Sequence, residues 1–434
     1  MPRDPAPAPG RSASRPSVET YRAIVGDGEM DRLHAAADRV RPWTLQHVNS
    51  TAVGGGVAEI LTRMLPLLED LGLQVSWDVI AGNDDFFAAT KAFHNALHGL
   101  SGCTSLPMFE AFRATTEMNR HRFDVRGDVM FIHDPQPVGL IDCCRQSGRK
   151  WIWRCHIDVS SPCPDVWSFL QRYVRRYDAL IFSVDDFSKS LPLPQYTVPP
   201  SIDPLAEKNR TLTDAEVREV LERHQLDPAR PILTQISRFD RLKDPLGVVQ
   251  AYRLVRRHQD CQLVLAGGGA DDDPEGAEVL HEVREAAGSD QDIHILELPL
   301  FSDHEINALV RGSTVVMQKS IKEGFGLTVS EALWKRKAVV AGRVGGIRLQ
   351  IRDGHSGFLV DSPELAARRV IRLLEDPELR RLMGERGHRH VKRNFLITRH
   401  MADYLRVAHL VLQQSSRARV SVPATVQTAR AACA

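Results

Sequence analysis

The sequence predicts an α/β protein made of two parallel-sheet domains. Short apolar runs alternate with amphipathic helical stretches along nearly the whole chain. One proline-rich stretch without periodicity, LPLPQYTVPPSIDP, interrupts that alternation and reads as an interdomain linker. The length of 434 residues fits two or three domains, and two is the simpler division.

The opening residues, MPRDPAPAPGRSASRP, hold no apolar core of a secretory signal, and their prolines oppose an amphipathic transit helix. A disordered tail is expected over 1–20. An N-terminal domain follows over 21–198. TLQHVNS reads as its first strand, and GGGVAEILTRMLPLLEDLG as a glycine turn and a helix ended by Gly72. QVSWDVIAG, DVMFIHDPQP, KWIWRCHIDVS and DALIFSVDDFS are further strands that run into polar loops. The C-terminal domain is expected over 199–396, with strands in PILTQISRFD, CQLVLAGGG, DIHILEL, STVVMQKS and KAVVAGRVGG. A helix over 397–415 is expected to pack back on the N-terminal domain, and a second disordered tail to fill 416–434. Strand–helix alternation implies parallel sheets, whose ligands bind at loops beyond the carboxyl ends of strands.

Composition narrows the function. Lys plus Arg (56) nearly balances Asp plus Glu (55), so no broad basic surface for nucleic acid or an anionic membrane is expected. No apolar run approaches the roughly 18 residues of a membrane helix. The cysteines, seven in number, lack disulfide-framework or metal-site spacing, which fits a reduced cytoplasmic compartment. A metal site from His133, His156 and Cys155 finds no support in ligand spacing.

Five loops carry candidate chemistry. Gly54, Gly55 and Gly56 precede a helix and expose backbone N–H groups suited to a phosphate, without Walker or dinucleotide-fingerprint spacing. The same glycines also suit a plain tight turn. In SRFDRLKDP, Arg238 and Lys243 follow a strand end; they are phosphate ligands or two solvated charges, and the ordered turn at Pro245 favours the first. EGFGLTVSEALW offers a second helix N-terminus near Leu327. Glu323 precedes it and Glu331 lies a turn inside, which puts the carboxylates about 10 Å apart. That separation exceeds the roughly 5 to 9.5 Å of a glycoside hydrolase pair. His133 and His156 follow buried strands, with Asp134 and Asp158 close behind; each alone reads as structural, and together they suggest a polar pocket.

These residues resemble glycosyltransferase family 4, of the GT-B fold: two Rossmann-like parallel-sheet domains facing a central cleft. The family's two glutamates with seven residues between them match Glu323 and Glu331, its donor-diphosphate Arg and Lys match Arg238 and Lys243, and its glycine turn matches Gly54 to Gly56. HVNSTAVGGGVAEIL, FIHDPQP, WRCHIDVSSP and KEGFGLTVSEALWKRKAVVAGRVGGI resemble the trehalose glycosyltransferring synthases in particular. Related fungal trehalose phosphorylases share these strings on longer chains.

The resemblance implies a transferase that moves glucose from a nucleoside diphosphate glucose to free glucose, forming trehalose. Glu323 would meet donor glucose hydroxyls and Glu331 the ribose. Gly324, Phe325, Gly326, Leu327 and Thr328 would face sugar and phosphate, with Gly55 and Gly56 closing from the other domain. His156 would approach the glucose 6-hydroxyl or the reacting centre. Asn49, Glu59, His133, Asp134 and Asp158 would lie on the acceptor side. No metal ligand and no cofactor is implied; Mg²⁺ is expected to be at most stimulatory. Homodimerisation is compatible with the resemblance. Arg238, Lys243 and two helix N-termini would stabilise the departing diphosphate. A phosphorylase, a two-carboxylate hydrolase and a non-catalytic sugar-nucleotide sensor are the rivals.

Overall fold

The computed structural model describes residues 17–53, 55–100, 104–143, 148–268 and 274–414. The expected tail over 416–434 lies outside them, as do residues 1–16, Gly54 and residues 269–273. The last residues of the expected N-terminal tail are folded: Val18 and Tyr21 are buried, and the Val18 amide donates to Asp70 at 2.8 Å. The chain forms two compact units, Met1–Pro200 with Ile397–Ala434, and Ser201–Leu396.

The first unit contains β1 (Thr44–Asn49), β2 (Gln74–Val79), β3 (Val129–His133), β4 (Lys150–Arg154), β5 (Ala179–Phe182) and β6 (Gln195–Thr197). They form one six-stranded sheet in the order β2-β1-β3-β4-β5-β6, and every neighbouring pair is parallel. β6 lies inside the stretch read as a linker. Prolines bracket its three residues, so it shows no strand periodicity; it exists by pairing with β5 at the sheet edge, where proline is tolerated.

Apolar residues at helical spacing bury one face of the helix Gly56–Asp70, through Ile60, Leu61, Met64, Leu65 and Leu68. Gly72, at φ +79°, takes the left-handed conformation that ends it. The helix Ile397–Gln413 belongs to this unit, and its Met401, Tyr404, Leu405 and Ala408 share a core with Tyr21, Met30, Leu33 and Leu45.

The second unit contains β7 (Ile232–Ile236), β8 (Gln262–Gly267), β9 (Ile293–Glu297), β10 (Val315–Gln318), β11 (Ala338–Gly342) and β12 (Phe358–Val360). Its sheet runs β12-β11-β10-β7-β8-β9, again parallel throughout. β12 was not legible as a strand, because three residues are too few to show a period.

In each sheet the strand order reverses once. The chain steps outward from β1 to β2 and returns on the other side of β1 with β3; likewise β10 returns beside β7 after β8 and β9. A crevice opens at such a reversal, because the flanking connections leave in opposite directions. Asn49 and His133 end the strands at the first reversal, and Ile236 and Gln318 at the second.

Candidate active site

In the second unit, the loops leaving β7 and β10 are tied together by the Ile321 amide, which donates to the Leu242 carbonyl at 2.9 Å. This brings Lys243 to Glu323. The Lys243 Nζ donates to Glu323 Oε2 at 2.6 Å, and the Ser320 hydroxyl donates to the same oxygen at 3.2 Å. Glu323 is buried, at 8% exposure. Asp244, next to Lys243, holds a left-handed φ of +52° and caps the helix Pro245–Arg256 by accepting from the Gly247 amide at 3.0 Å. It also pairs with Lys319. These contacts fix the backbone that carries Lys243.

The helix Leu327–Trp334 starts where the sequence placed it, behind Gly326 at φ +82°. No side chain caps it, and an uncapped helix N-terminus is suited to an anion. The turn is pinned from behind: the Gln350 amide donates to the Phe325 carbonyl at 2.5 Å, and a Cβ on Gly346 would lie 2.6 Å from the Phe325 Cα. Gly324, Phe325, Gly326, Leu327 and Thr328 thus form one rigid turn beside Glu323. Glu331 is 2% exposed rather than a solvated first-turn acid, and Lys208 Nζ lies 3.5 Å from its Oε1. Arg238 is half-exposed and lies 3.5 Å from Asp240 Oδ2.

Sequence reasoning missed Lys208 and Ser320 as neighbours of the two glutamates, and the Lys319–Asp244 pair beside Lys243. Lys208 carries no local signal, since it precedes Glu331 by over a hundred residues. Ser320 and Lys319 follow a strand end, which is the one signal that pointed to them.

In the first unit, three imidazoles meet. His47 of β1, His133 of β3 and His156 beyond β4 form a chain, with His47 Nδ1 to His133 Nε2 at 3.0 Å and His133 Nδ1 to His156 Nε2 at 3.1 Å. His47 went unnoticed because it sits mid-strand, between Gln46 and Val48, with no motif to mark it. Asp134, at φ +64°, accepts from the His156 amide at 2.7 Å, so it holds the loop that carries His156. Asp158 accepts from the Ser160 amide at 2.9 Å. Asn49 is buried, donating to the Thr51 carbonyl at 2.7 Å and accepting from the Trp77 indole at 2.8 Å. Gly55, at φ +81°, precedes the helix that Gly56 opens, and Glu59 lies in its first turn. Among the described residues, no group of three His, Cys, Asp or Glu is placed to hold a metal ion.

Burial sets the charge state of this cluster. It pushes His47 down to about 3, and holds His133 and His156, and likewise the buried His400 of the helix Ile397–Gln413, well below the ordinary imidazole value. Burial also raises Asp134 to about 6. The folded protein therefore keeps these histidines neutral, while the unfolded chain takes up protons below about pH 6.5. Their contribution is complete above that pH and is lost as pH falls. At about pH 5, His47 alone costs about 2 kcal/mol of stability. Asp134 acts in the opposite sense below about pH 6, but one carboxyl faces four imidazoles. The urea unfolding midpoint is expected to be lower at about pH 5 than at about pH 7.5; an equal or higher midpoint contradicts the neutral cluster.

No described helix is long and apolar enough to cross a membrane. Residues 47–189 match the trehalose synthase N-terminal domain family, and residues 217–390 match the glycosyl transferases group 1. The chain is 42% identical to the trehalose synthase of Thermococcus litoralis over 89% of this chain and 95% of that one. It is 30% identical to the trehalose phosphorylase of Pleurotus pulmonarius, over 86% of this chain but only 58% of that one. Among solved structures, a UDP-forming α,α-trehalose-phosphate synthase from Burkholderia xenovorans superimposes with a TM-score of 0.67 at 16% identity, covering 86% of this chain and 99% of that one. That likeness carries the fold, and the GT-B expectation holds. The sequence relationship carries more: this chain belongs to the trehalose synthase family of glycosyltransferases.

Proposed function

We propose that this protein is a retaining glucosyltransferase that moves glucose from a nucleoside diphosphate glucose to free glucose, forming α,α-1,1-linked trehalose, reversibly. The observation that carries this reading is the Lys243–Glu323 pair, 2.6 Å apart beside the open N-terminus of Leu327–Trp334. A diphosphate needs cationic and N–H donors; a sugar needs a charged acceptor for its hydroxyls. Here the turn of residues 324–328 and the Glu323 carboxylate stand beside Lys243, which the loop leaving β7 carries, at a strand reversal. Without donor, Lys243 neutralises Glu323. With donor, a phosphate competes for Lys243 and leaves the Glu323 oxygens to the sugar hydroxyls. Glu331, with Lys208 beside it, is suited to ribose hydroxyls. On the first unit, His156 offers a ring nitrogen to the sugar.

The reaction balances without an enzyme nucleophile. The acceptor oxygen bonds to the anomeric carbon on the face from which the phosphate oxygen departs, and that phosphate oxygen takes the acceptor's proton. The α configuration is kept. Arg238, Lys243 and the helix N-terminus stabilise the charge that develops on the leaving diphosphate, the role a bridging cation would otherwise fill.

The test is a donor screen with UDP-, ADP- and GDP-glucose and free glucose as acceptor. Proton NMR of the product is expected to show only α-anomeric signals and no reducing end, with release of the nucleoside diphosphate. Activity is expected to persist in EDTA, and trehalose plus nucleoside diphosphate to run the reaction backwards. A reducing product, or a requirement for glucose 6-phosphate, overturns the trehalose assignment. A requirement for inorganic phosphate as acceptor instead supports the phosphorylase reading. Complete loss in EDTA, restored by Mg²⁺, overturns metal independence.

A further inference from the structure

The chain of imidazoles has a direction, and one end fixes it. His47 is fully buried, stacked on Phe131 at a centroid distance of 4.7 Å and packed against Tyr404 at 6.2 Å. Its Nε2 finds no hydrogen-bond partner among the described residues. That nitrogen is either an orphaned N–H or a bare lone pair. An orphaned buried N–H is the rarer and more costly of the two, so the proton sits on Nδ1.

The rest follows by counting protons. His47 Nδ1–H donates to His133 Nε2, which must then be the acceptor nitrogen of a neutral ring. The single proton of His133 therefore lies on Nδ1 and donates to His156 Nε2. His156, neutral in turn, carries its proton on Nδ1. Burial of the cluster favours neutral rings throughout. His156 is the one partly exposed member, and no described residue bonds its Nδ1.

We infer that His47 and His133 are positioning residues that lock His156 in the Nδ1–H tautomer, so that it presents a hydrogen-bond donor of fixed direction to a sugar oxygen. A free imidazole in water divides between two tautomers and can offer a lone pair where a donor is needed. Here the choice is made two rings away, at His47 inside the sheet. The stacking holds the geometry as well: the His47–His133 and His133–His156 rings lie within 24° and 20° of parallel, at 5.3 and 5.4 Å. This inference rests on the reading that His156 meets the sugar, and its test separates the two claims.

Histidine-selective ¹⁵N labelling of the ligand-free full chain reads the tautomers directly through long-range proton–nitrogen correlations. The expected spectrum shows His156 protonated on Nδ1 and bare on Nε2, with the same pattern for His47 and His133. This readout needs neither a variant nor activity, and His156 protonated on Nε2 overturns the inference. Two variants then test the consequence. His47→Phe keeps an aromatic ring on Phe131 but removes the donor; His47→Asn keeps an N–H donor near the same place. His47→Phe is expected to mix the His156 tautomers and lower kcat at least about tenfold, and His47→Asn to hold the tautomer and stay within about threefold of wild type. If both variants lower kcat alike while the His156 tautomer is unmoved, the role of His47 is packing alone and the inference falls. If the tautomer shifts in His47→Phe and kcat does not, the lock stands and the contact between His156 and the sugar falls.

Discussion

Replacing Glu323 with glutamine is expected to lower kcat/KM by about 30- to 700-fold while nucleoside diphosphate binds nearly as before. The charged acceptor is the reason. A carboxylate that takes sugar hydroxyls into a buried site makes charge-assisted hydrogen bonds, and their loss costs on the order of 2–4 kcal/mol of transition-state stabilisation. About 1.4 kcal/mol corresponds to each factor of ten. The fold is expected to survive, because a glutamine oxygen can still accept from Lys243 and Ser320, which now share Glu323 Oε2. Isothermal titration with the diphosphate and steady-state kinetics with the sugar donor separate the two effects. A variant that loses diphosphate affinity but still discriminates among sugars reverses the roles given to Glu323 and Glu331.

The second large effect is expected at Lys243. Lys243→Ala removes a point charge from the proposed diphosphate site, and turnover is expected to fall about ten- to a hundredfold. It also leaves Glu323, with a side chain only 10% exposed, without its cation. A stability loss of about 1–3 kcal/mol should accompany the kinetic one. Arg238→Ala removes the other proposed phosphate ligand from a side chain that is 50% exposed. It is expected to slow turnover by about tenfold and to leave stability unchanged, since solvent already screens that charge. Because Lys243 and Glu323 touch, the Lys243→Ala/Glu323→Gln double variant should lose less than the sum of the single losses. Wild-type kinetics in either single alanine variant refutes its place in the diphosphate site. Full additivity in the double variant shows that the 2.6 Å contact carries no coupling.

The sequence by itself determined the two parallel sheets, because buried parallel strands are continuous apolar runs and the helices between them are amphipathic. Both properties are local and visible in any window of a dozen residues. It also placed the helix start at Leu327 and the conformational break at Gly326, since glycine next to a helix onset is a backbone signal that needs no partner. Two strands escaped, Gln195–Thr197 and Phe358–Val360, because three residues do not show a period and form only when a neighbouring strand supplies the hydrogen bonds.

Tertiary structure alone decided which charges meet. Lys243 and Glu323 are 80 residues apart and Lys208 lies still farther from Glu331, so their contacts depend on strand order. Nothing near Lys208 in the chain marks it. The imidazole chain is the sharpest case. His47, His133 and His156 come from three separate strand segments, and the parallel register that pairs His47 with Phe131 and His133 with Arg154 brings their rings within hydrogen-bond reach. The sequence supplied each histidine as an isolated residue near a strand end or within one. Proton positions along the chain become fixed only when one end is buried without a partner, and that is a property of packing, which no local pattern encodes.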